Sequence, residues 1–196
     1  MESRKVHLFL DMDGTLAKFY EHADCLERMF TPGFFRDLNG YENVIEGLRI
    51  LTSKFPNNMH VYALSAVNRE AQEATIKEKK QWLKKHCPFI HDNHYIFTEY
   101  GENKAEAVKA VLATFAQRGA IRPCDILIDD YNKNLDEWNE AGGYAIKMVN
   151  EINDKGTRGS LWAGPRIRYD FAPERICDEI ASMITALTKQ GKERKV

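Results

Sequence analysis

A short apolar run near the start of the chain constrains the fold more than any other feature. Residues 6–10 read Val-His-Leu-Phe-Leu, and Asp-Met-Asp-Gly-Thr follows at residues 11–15. An apolar strand that ends in two carboxylates and a glycine turn places acidic groups at the carboxyl edge of a sheet, where open α/β sheets bind their ligands. An ordinary buried strand with an Asp-Gly turn has the same local pattern, so the rest of the chain has to decide between the two interpretations.

Three later segments place polar side chains in similar positions. An apolar run at residues 59–64 leads into Ser65, Lys104 precedes a helical pattern, and a run at residues 126–128 ends in Asp129 and Asp130. These runs alternate with helical patterns, which predicts a parallel sheet covered by helices on both faces. The polar side chains would then lie at the carboxyl ends of the strands, where such sheets bind ligands.

The spacing of apolar residues predicts a single α/β domain with five strands. Residues 1–15 and 41–188 form the predicted core, and residues 16–40 form a small helical insertion. The basic residues 189–196 are predicted to be a disordered tail. The predicted strands lie at residues 5–10, 59–64, 95–97, 125–128 and 143–148, and the predicted helices at 41–54, 69–86, 105–117 and 135–141.

The composition excludes several classes of protein. A chain of 196 residues suits one domain, and its net charge of −1 argues against a surface built to bind nucleic acid. The four cysteines form no Cys-x-x-Cys pair, so neither a zinc knuckle nor a disulfide framework is predicted. We find no apolar run of about 18 residues and no signal peptide, and therefore expect a soluble cytoplasmic protein. The number of subunits is left open.

The four polar positions, in this order, resemble the motifs of the haloacid dehalogenase superfamily of phosphohydrolases. The Asp-Met-Asp-Gly-Thr sequence matches the first motif, Ser65 the second, Lys104 the third, and the pair Asp129 and Asp130 the fourth. The resemblance covers about residues 5–150. It implies a three-layer, doubly wound parallel sheet of strand order 5-4-1-2-3, with a small helical cap inserted after strand 1. Strands 1, 2 and 4 would be neighbours, so the motifs would meet at one edge of the sheet.

The resemblance also implies a role for each acidic residue. Asp11 would attack phosphorus to form an aspartyl-phosphate intermediate, and Asp13, oriented by Thr15, would protonate the leaving oxygen and later activate water. A phosphate dianion repels a carboxylate nucleophile, so a metal ion has to offset the charge, and Mg²⁺ suits a site of oxygen ligands. Its ligands would be Asp11, the backbone carbonyl of Asp13 and the side chain of Asp130, with Asp129 acting through water or orienting the site.

Ser65 and Lys104 are the expected partners of the phosphoryl group. The Ser65 hydroxyl would donate a hydrogen bond to a phosphoryl oxygen, the adjacent Ala66 would contact the substrate, and Lys104 would supply positive charge. Taken alone, Ser65 also suits a turn or a helix cap, and Lys104 also suits a solvated first helical turn. The predicted helix at residues 69–86 contains five further lysines that compete for the same role, and we interpret them as a solvated face: Lys77, Lys79, Lys80, Lys84 and Lys85.

A closer resemblance points to the substrate. The run from the first motif through residues 33–38, together with residues 58–65 and 126–130, is similar to the 5'(3')-deoxyribonucleotidases, which remove phosphate from deoxynucleoside monophosphates. Caps of that family hold the base between aromatic rings, which implies that Phe34 or Phe35 stacks on a base. Packing of the cap onto the core is the alternative role for both rings, since aromatic pairs are more often part of a core.

The chain departs from the pattern of that family in three places. The segment at residues 16–40 is shorter than the family's helical cap, and residues 66–68 read Ala-Val-Asn where the family tends to have Ser-Pro. The C-terminal part, including residues 158–162 and 166–169, has no clear counterpart. The resulting prediction is a magnesium-dependent 5'-nucleotidase for (deoxy)ribonucleoside monophosphates. The alternatives are a phosphatase for another small phosphomonoester or a polynucleotide end, and a non-catalytic protein that binds phosphate ligands.

Overall fold

A parallel β-sheet lies at the centre of the molecule. The computed structural model describes residues 5–155 and 161–193, except for the side chains of residues 115 and 189–193. Its strands are β1 (Val6–Leu10), β2 (Met59–Val67), β3 (Tyr95–Glu99), β4 (Asp125–Asp129), β5 (Tyr144–Val149) and β6 (Arg166–Arg168). They pair in the order β3-β2-β1-β4-β5-β6, and every neighbouring pair is parallel.

Helices cover both faces of this sheet. Those described are α1 (Cys25–Arg28), α2 (Glu42–Lys54), α3 (Gln72–His86), α4 (Lys104–Phe115), α5 (Asn132–Glu140) and α6 (Pro173–Glu193). Apolar side chains of α2, α3 and α6 share one hydrophobic cluster with the sheet, and those of α4 and α5 share a second. The chain therefore forms three layers, with helices above and below the strands. Within the described ranges, no helix is both long and apolar enough to cross a membrane.

The central strand β1 is buried on both faces, which explains its nearly continuous apolar sequence. Leu8 and Leu10 belong to the cluster of α2, α3 and α6, whereas Phe9 belongs to that of α4 and α5, and all three are 0% exposed. Strands of parallel sheets characteristically read as apolar runs for this reason. Because β1 lies between β2 and β4, the carboxyl ends of three motif-bearing strands stand side by side.

The predicted α/β fold and strand order are confirmed, and β6 extends the sheet beyond β5. The sequence analysis missed β6 because it has three residues, of which Ile167 alone is apolar. Periodicity needs more than one apolar position to indicate a strand. The strand lies in the segment without a counterpart in the related family, of which residues 158–160 are outside the described residues.

Helix α6 continues to Glu193, into the stretch at about residues 189–196 for which a disordered tail is predicted. Lysine, glutamine and glutamate predominate in this stretch and are good helix formers, so Gly191 alone does not end the helix.

The inserted segment at residues 16–40 leaves and rejoins the core at neighbouring positions. Lys18 N donates to Asn39 O (2.8 Å), and Tyr41 N donates to Leu16 O (2.8 Å). Between these ties lie the short helix α1 and a 3₁₀ turn at Phe19–Glu21. The segment is therefore a closed loop that begins directly after the first motif.

Candidate active site

Three buried carboxylates meet at the carboxyl edge of β1 and β4. Asp11 follows β1, Asp129 ends β4, and Asp130 comes directly after it. The two strands are neighbours, and Asp11 N donates to Ile128 O (3.0 Å), which aligns their ends. One oxygen from each carboxylate lies within 4.8 Å of the others, in the arrangement that a metal ion would need. Asp11, Asp129 and Asp130 are 5%, 0% and 2% exposed.

Burial disfavours negative charge on two of these carboxylates. Burial raises the pKa of Asp11 well above its ordinary value; Lys104 opposes this, and Asp129 and Asp130 add to it. Burial and the neighbouring Asp129 raise the pKa of Asp130 to about 7, against the hydrogen bonds from Asn153 and Asn150. The positive charge of Lys104 alone does not offset the three carboxylates, and a divalent cation with oxygen ligands would supply the remainder.

Lys104 is the cation that the chain itself contributes to this cluster. It is the first residue of α4, whose start is fixed by the Asn103 side chain accepting from Ala105 N (2.8 Å). Lys104 Nζ donates to Asp11 Oδ1 (2.5 Å) and to Asp129 Oδ2 (2.7 Å). Burial alone would lower the pKa of Lys104, but Asp11 and Asp129 outweigh it and hold the pKa above its ordinary value. The side chain is therefore a permanent positive charge beside the predicted nucleophile.

The two adjacent acids of the fourth motif have different hydrogen-bond partners. Both oxygens of Asp129 are used: Oδ1 accepts from Tyr131 N (2.8 Å), and Oδ2 accepts from Lys104 and from Asn134 Nδ2 (2.9 Å). Asp130 Oδ2 accepts from two asparagines, whereas its Oδ1 accepts no hydrogen bond from the described residues. Asp130 is therefore better placed than Asp129 to give an oxygen to a cation.

The two asparagines that hold Asp130 were missed by the sequence analysis. Asn150 Nδ2 donates to Asp130 Oδ2 (2.7 Å) and to Gly14 O (2.9 Å), and Asn153 Nδ2 donates to Asp130 Oδ2 (2.8 Å) and Tyr20 Oη (3.1 Å). Asn150 comes directly after β5. Its position as a polar residue at the end of a predicted strand could have identified it as a site residue. The network links the first motif, the fourth motif and the inserted segment.

Gly14 has to be glycine at this point. Its φ is +86°, and a Cβ atom there would lie 2.3 Å from Asp130 Oδ2. The turn of the first motif therefore packs directly against the carboxylate of the fourth.

A second group of contacts centres on Lys79, and it contradicts our interpretation of that residue as part of a solvated face. Lys79 is 0% exposed, and its Nζ donates to Asp13 Oδ2, Ser65 Oγ (2.8 Å) and Ala66 O (2.7 Å). The other four lysines of the proposed face, Lys77, Lys80, Lys84 and Lys85, are exposed. The missed signal was helical spacing, since Lys79 lies on the same stripe as Thr75, Trp82 and Leu83, which are buried.

Thr15 does not make the predicted contact with Asp13. Its hydroxyl is buried and has no hydrogen-bond partner in the described part of the chain. Lys79 holds the Asp13 carboxylate instead.

The structure places Phe34 and Phe35 in the hydrophobic core, with 8% and 3% of their surfaces exposed. Their ring centroids are 5.0 Å apart in an edge-to-face arrangement, and Phe19 packs edge-to-face on Phe34 at 5.6 Å. The burial of both rings favours packing of the inserted segment onto the core. Stacking on a base stays a prediction, and it requires residues 16–40 to move.

Residues 21–164 match the model of a family described as "5' nucleotidase, deoxy (Pyrimidine), cytosolic type C protein". The match begins after the first motif and includes the second, third and fourth. No curated protein matches the sequence.

Several solved structures share the fold at low sequence identity. A haloacid dehalogenase-like hydrolase from Xanthomonas campestris is 12% identical with a TM-score of 0.59, and the alignment covers 96% of this chain and 100% of that one. D,D-heptose 1,7-bisphosphate phosphatase from B. bronchiseptica, complexed with magnesium and phosphate, is 10% identical with a TM-score of 0.58, covering 90% and 98%. The same enzyme from Burkholderia thailandensis is 11% identical with a TM-score of 0.56, covering 90% and 99%. Such identities indicate a common architecture and not a common substrate.

Proposed function

We propose that this chain, which belongs to the family of deoxy (pyrimidine) 5'-nucleotidases of cytosolic type C, removes phosphate from nucleoside 5'-monophosphates by way of an aspartyl-phosphate. The family and the fold make the chain a phosphoric monoester hydrolase. One observation supports the mechanism above all others: Asp11 lies against a buried lysine and two further carboxylates. Hydrolysis of a phosphate dianion needs this combination of a nucleophile and concentrated positive charge.

Asp11 is the proposed nucleophile. Its Oδ1 is held by Lys104, and its Oδ2 accepts no hydrogen bond from the described residues, so Oδ2 is free to attack phosphorus. The bond from phosphorus to the ester oxygen breaks, and Asp13 gives its proton to that oxygen. In the second step Asp13 takes a proton from water, the water oxygen attacks phosphorus, and Asp11 and inorganic phosphate are released.

The acidic cluster fits Mg²⁺, which prefers oxygen ligands and retains several waters. The side chains of Asp11 and Asp130 and the backbone carbonyl of Asp13 would hold the ion, with Asp129 acting through water. When bound, Mg²⁺ would supply the charge that offsets repulsion between the phosphate and the carboxylates. Lys104 provides the part of this charge that belongs to the protein.

The family description supports a nucleoside monophosphate in the cytosol as the substrate. Ser65, Ala66 and Lys104 are the proposed contacts of its phosphoryl group. Phosphate release from a panel of deoxy- and ribonucleoside 5'-monophosphates, sugar phosphates, a 5'-phosphorylated oligonucleotide and 4-nitrophenyl phosphate, each with Mg²⁺, tests the proposal. We expect the highest kcat/KM among the nucleotides. Preference for a sugar phosphate or a 5'-phosphorylated oligonucleotide would reject the nucleotide and keep the chemistry, and inactivity on every ester would favour a binding protein.

Mg²⁺ affinity is expected to increase with pH up to about pH 8. The Asp130 carboxyl, whose pKa burial and Asp129 raise to about 7, has to lose its proton before it can bind a cation. Because this pKa is raised, a proton competes with Mg²⁺ for the Asp130 carboxylate below about pH 7. The affinity for Mg²⁺ should therefore fall about tenfold between about pH 8 and about pH 6. Isothermal titration calorimetry of the substrate-free protein measures this directly. Asp130→Asn should lose most of the affinity, and pH-independent binding by the wild type would contradict the assignment.

A further inference from the structure

Lys79 is a buried charge to which neither the sequence motifs nor the proposed mechanism gives a role. An ammonium group removed from water is costly unless its N–H groups find partners. Lys79 Nζ has three, on Asp13, Ser65 and Ala66. We propose proton transfer by the first of these residues and substrate contact by the other two. The Lys79 ammonium group therefore lies beside the residues of the proposed reaction.

The Asp13 carboxylate depends on Lys79 for its position. Asp13 Oδ2 accepts from Lys79 Nζ, while Asp13 Oδ1 is buried and has no partner among the described residues. A side chain held at one oxygen by a single donor loses its orientation when that donor is removed. An acid that transfers a proton has to lie within hydrogen-bond reach of the leaving oxygen, so this orientation matters for the rate.

The same ammonium group orients Ser65. A hydroxyl has one hydrogen to donate and two lone pairs that accept. Because Ser65 Oγ accepts from Lys79 (2.8 Å), its hydrogen is directed elsewhere. The backbone after Ser65 is fixed as well, since Ala66 O accepts from Lys79 (2.7 Å).

The residue before Lys79 ties this arrangement to the inserted segment. The Glu78 carboxylate accepts from Gly33 N (2.6 Å) and Phe35 N (3.2 Å). These bonds hold the Phe35 ring with its centroid 4.5 Å from Lys79 Nζ, where a cation–π contact stabilises the ammonium group. Glu78 and Lys79 of α3 thus connect the end of the inserted segment to Asp13.

We propose that Lys79 is a positioning residue that fixes Asp13 for proton transfer to the leaving oxygen. The inference rests on the proposed function, because it concerns the step in which the bond from phosphorus to the ester oxygen breaks and Asp13 gives up its proton. Asp11 forms its bond to phosphorus in the same step without contacting Lys79. Loss of Lys79 should therefore impair leaving-group protonation and spare nucleophilic attack.

Two esters of similar shape separate these effects. Benzyl phosphate has a strongly basic leaving oxygen that needs a proton, whereas 4-nitrophenolate leaves without one. The kcat/KM values of Lys79→Met and wild type are compared on both, since kcat/KM reports the steps through bond cleavage. Lys80→Met is the matched control, because Lys80 is the next residue of α3 and is exposed, with Nζ 6.0 Å from the Phe97 ring.

We expect Lys79→Met to lose about 10²-fold in kcat/KM on benzyl phosphate, as a displacement of about 1 Å can cause, and about tenfold or less on 4-nitrophenyl phosphate. Lys80→Met should match wild type on both esters. Equal losses by Lys79→Met on the two esters would overturn the inference, because leaving-group protonation would then not be the step that Lys79 assists. A folded wild type that hydrolyses neither ester would instead reject the proposed function, and the inference with it.

Lys79→Gln is the second variant, for the case that the methionine protein does not fold. Its amide nitrogen keeps N–H donors without the charge, and the variant should show the same preference between the esters to a smaller degree. In an Asp13→Asn background, Lys79→Met should cause little further selective loss, because residues that act through one another are not additive. If the free-energy losses from Lys79→Met and Asp13→Asn were fully additive, Lys79 could not act through Asp13.

Discussion

Asp11→Asn should lower the rate of phosphate monoester hydrolysis by at least about 10⁴-fold while the protein stays folded. An amide cannot form the phosphoryl bond that the carboxylate forms, so loss of the nucleophile removes the reaction path itself. The fold should survive because the substitution is isosteric and removes a charge that burial already disfavours. The Asn side-chain oxygen can still accept from Lys104. Phosphate release from 4-nitrophenyl phosphate and thermal unfolding of the same sample measure the two expectations.

Asp136→Asn is the control for this substitution, since Asp136 is exposed on α5. It should retain wild-type activity. If Asp11→Asn were as active as wild type, Asp11 could not be the nucleophile, and a mechanism in which water attacks the ester directly would replace the one proposed.

The sequence predicted the acidic cluster, because its three carboxylates lie at the carboxyl ends of strands. Asp11, Asp129 and Asp130 each follow or end an apolar run, and parallel strands bring such positions together wherever they lie along the chain. The strand order did not follow from periodicity and came from the resemblance, because apolar alternation identifies strands without saying which ones are neighbours.

Lys79 could not be assigned from its residue type alone. Lysines are almost always exposed, and four of the five in this stretch are. Its burial depends on Asp13, Ser65 and Ala66, which lie on other elements and offer three acceptors to one ammonium group. In the local sequence, this burial is indicated by the position of Lys79 on the apolar stripe of α3. The same position also fits a lysine whose side chain extends to solvent.

Lys104→Met is expected to lower kcat/KM on 4-nitrophenyl phosphate by about 10²-fold or more, as for loss of one preorganised charge. Lys104 lowers the pKa of Asp11, which burial otherwise raises, so its removal leaves the nucleophile protonated to a higher pH. The residual activity should therefore rise as the pH increases above neutral. A pH–rate profile of kcat/KM measures both the loss and its recovery.

Lys109→Met tests whether this effect is specific to the buried lysine. Lys109 lies on the same helix and pairs with Glu106 at the surface, so its loss should leave the rate and its pH dependence unchanged. Because breaking a buried ion pair can cost about 3 to 5 kcal/mol of stability, the Lys104 variant has to be assayed below its own unfolding temperature. Suppose that Lys104→Met keeps near wild-type activity while Lys79→Met loses activity equally on both test esters. The phosphoryl charge would then be neutralised from α3, and the third motif would have been placed on the wrong helix.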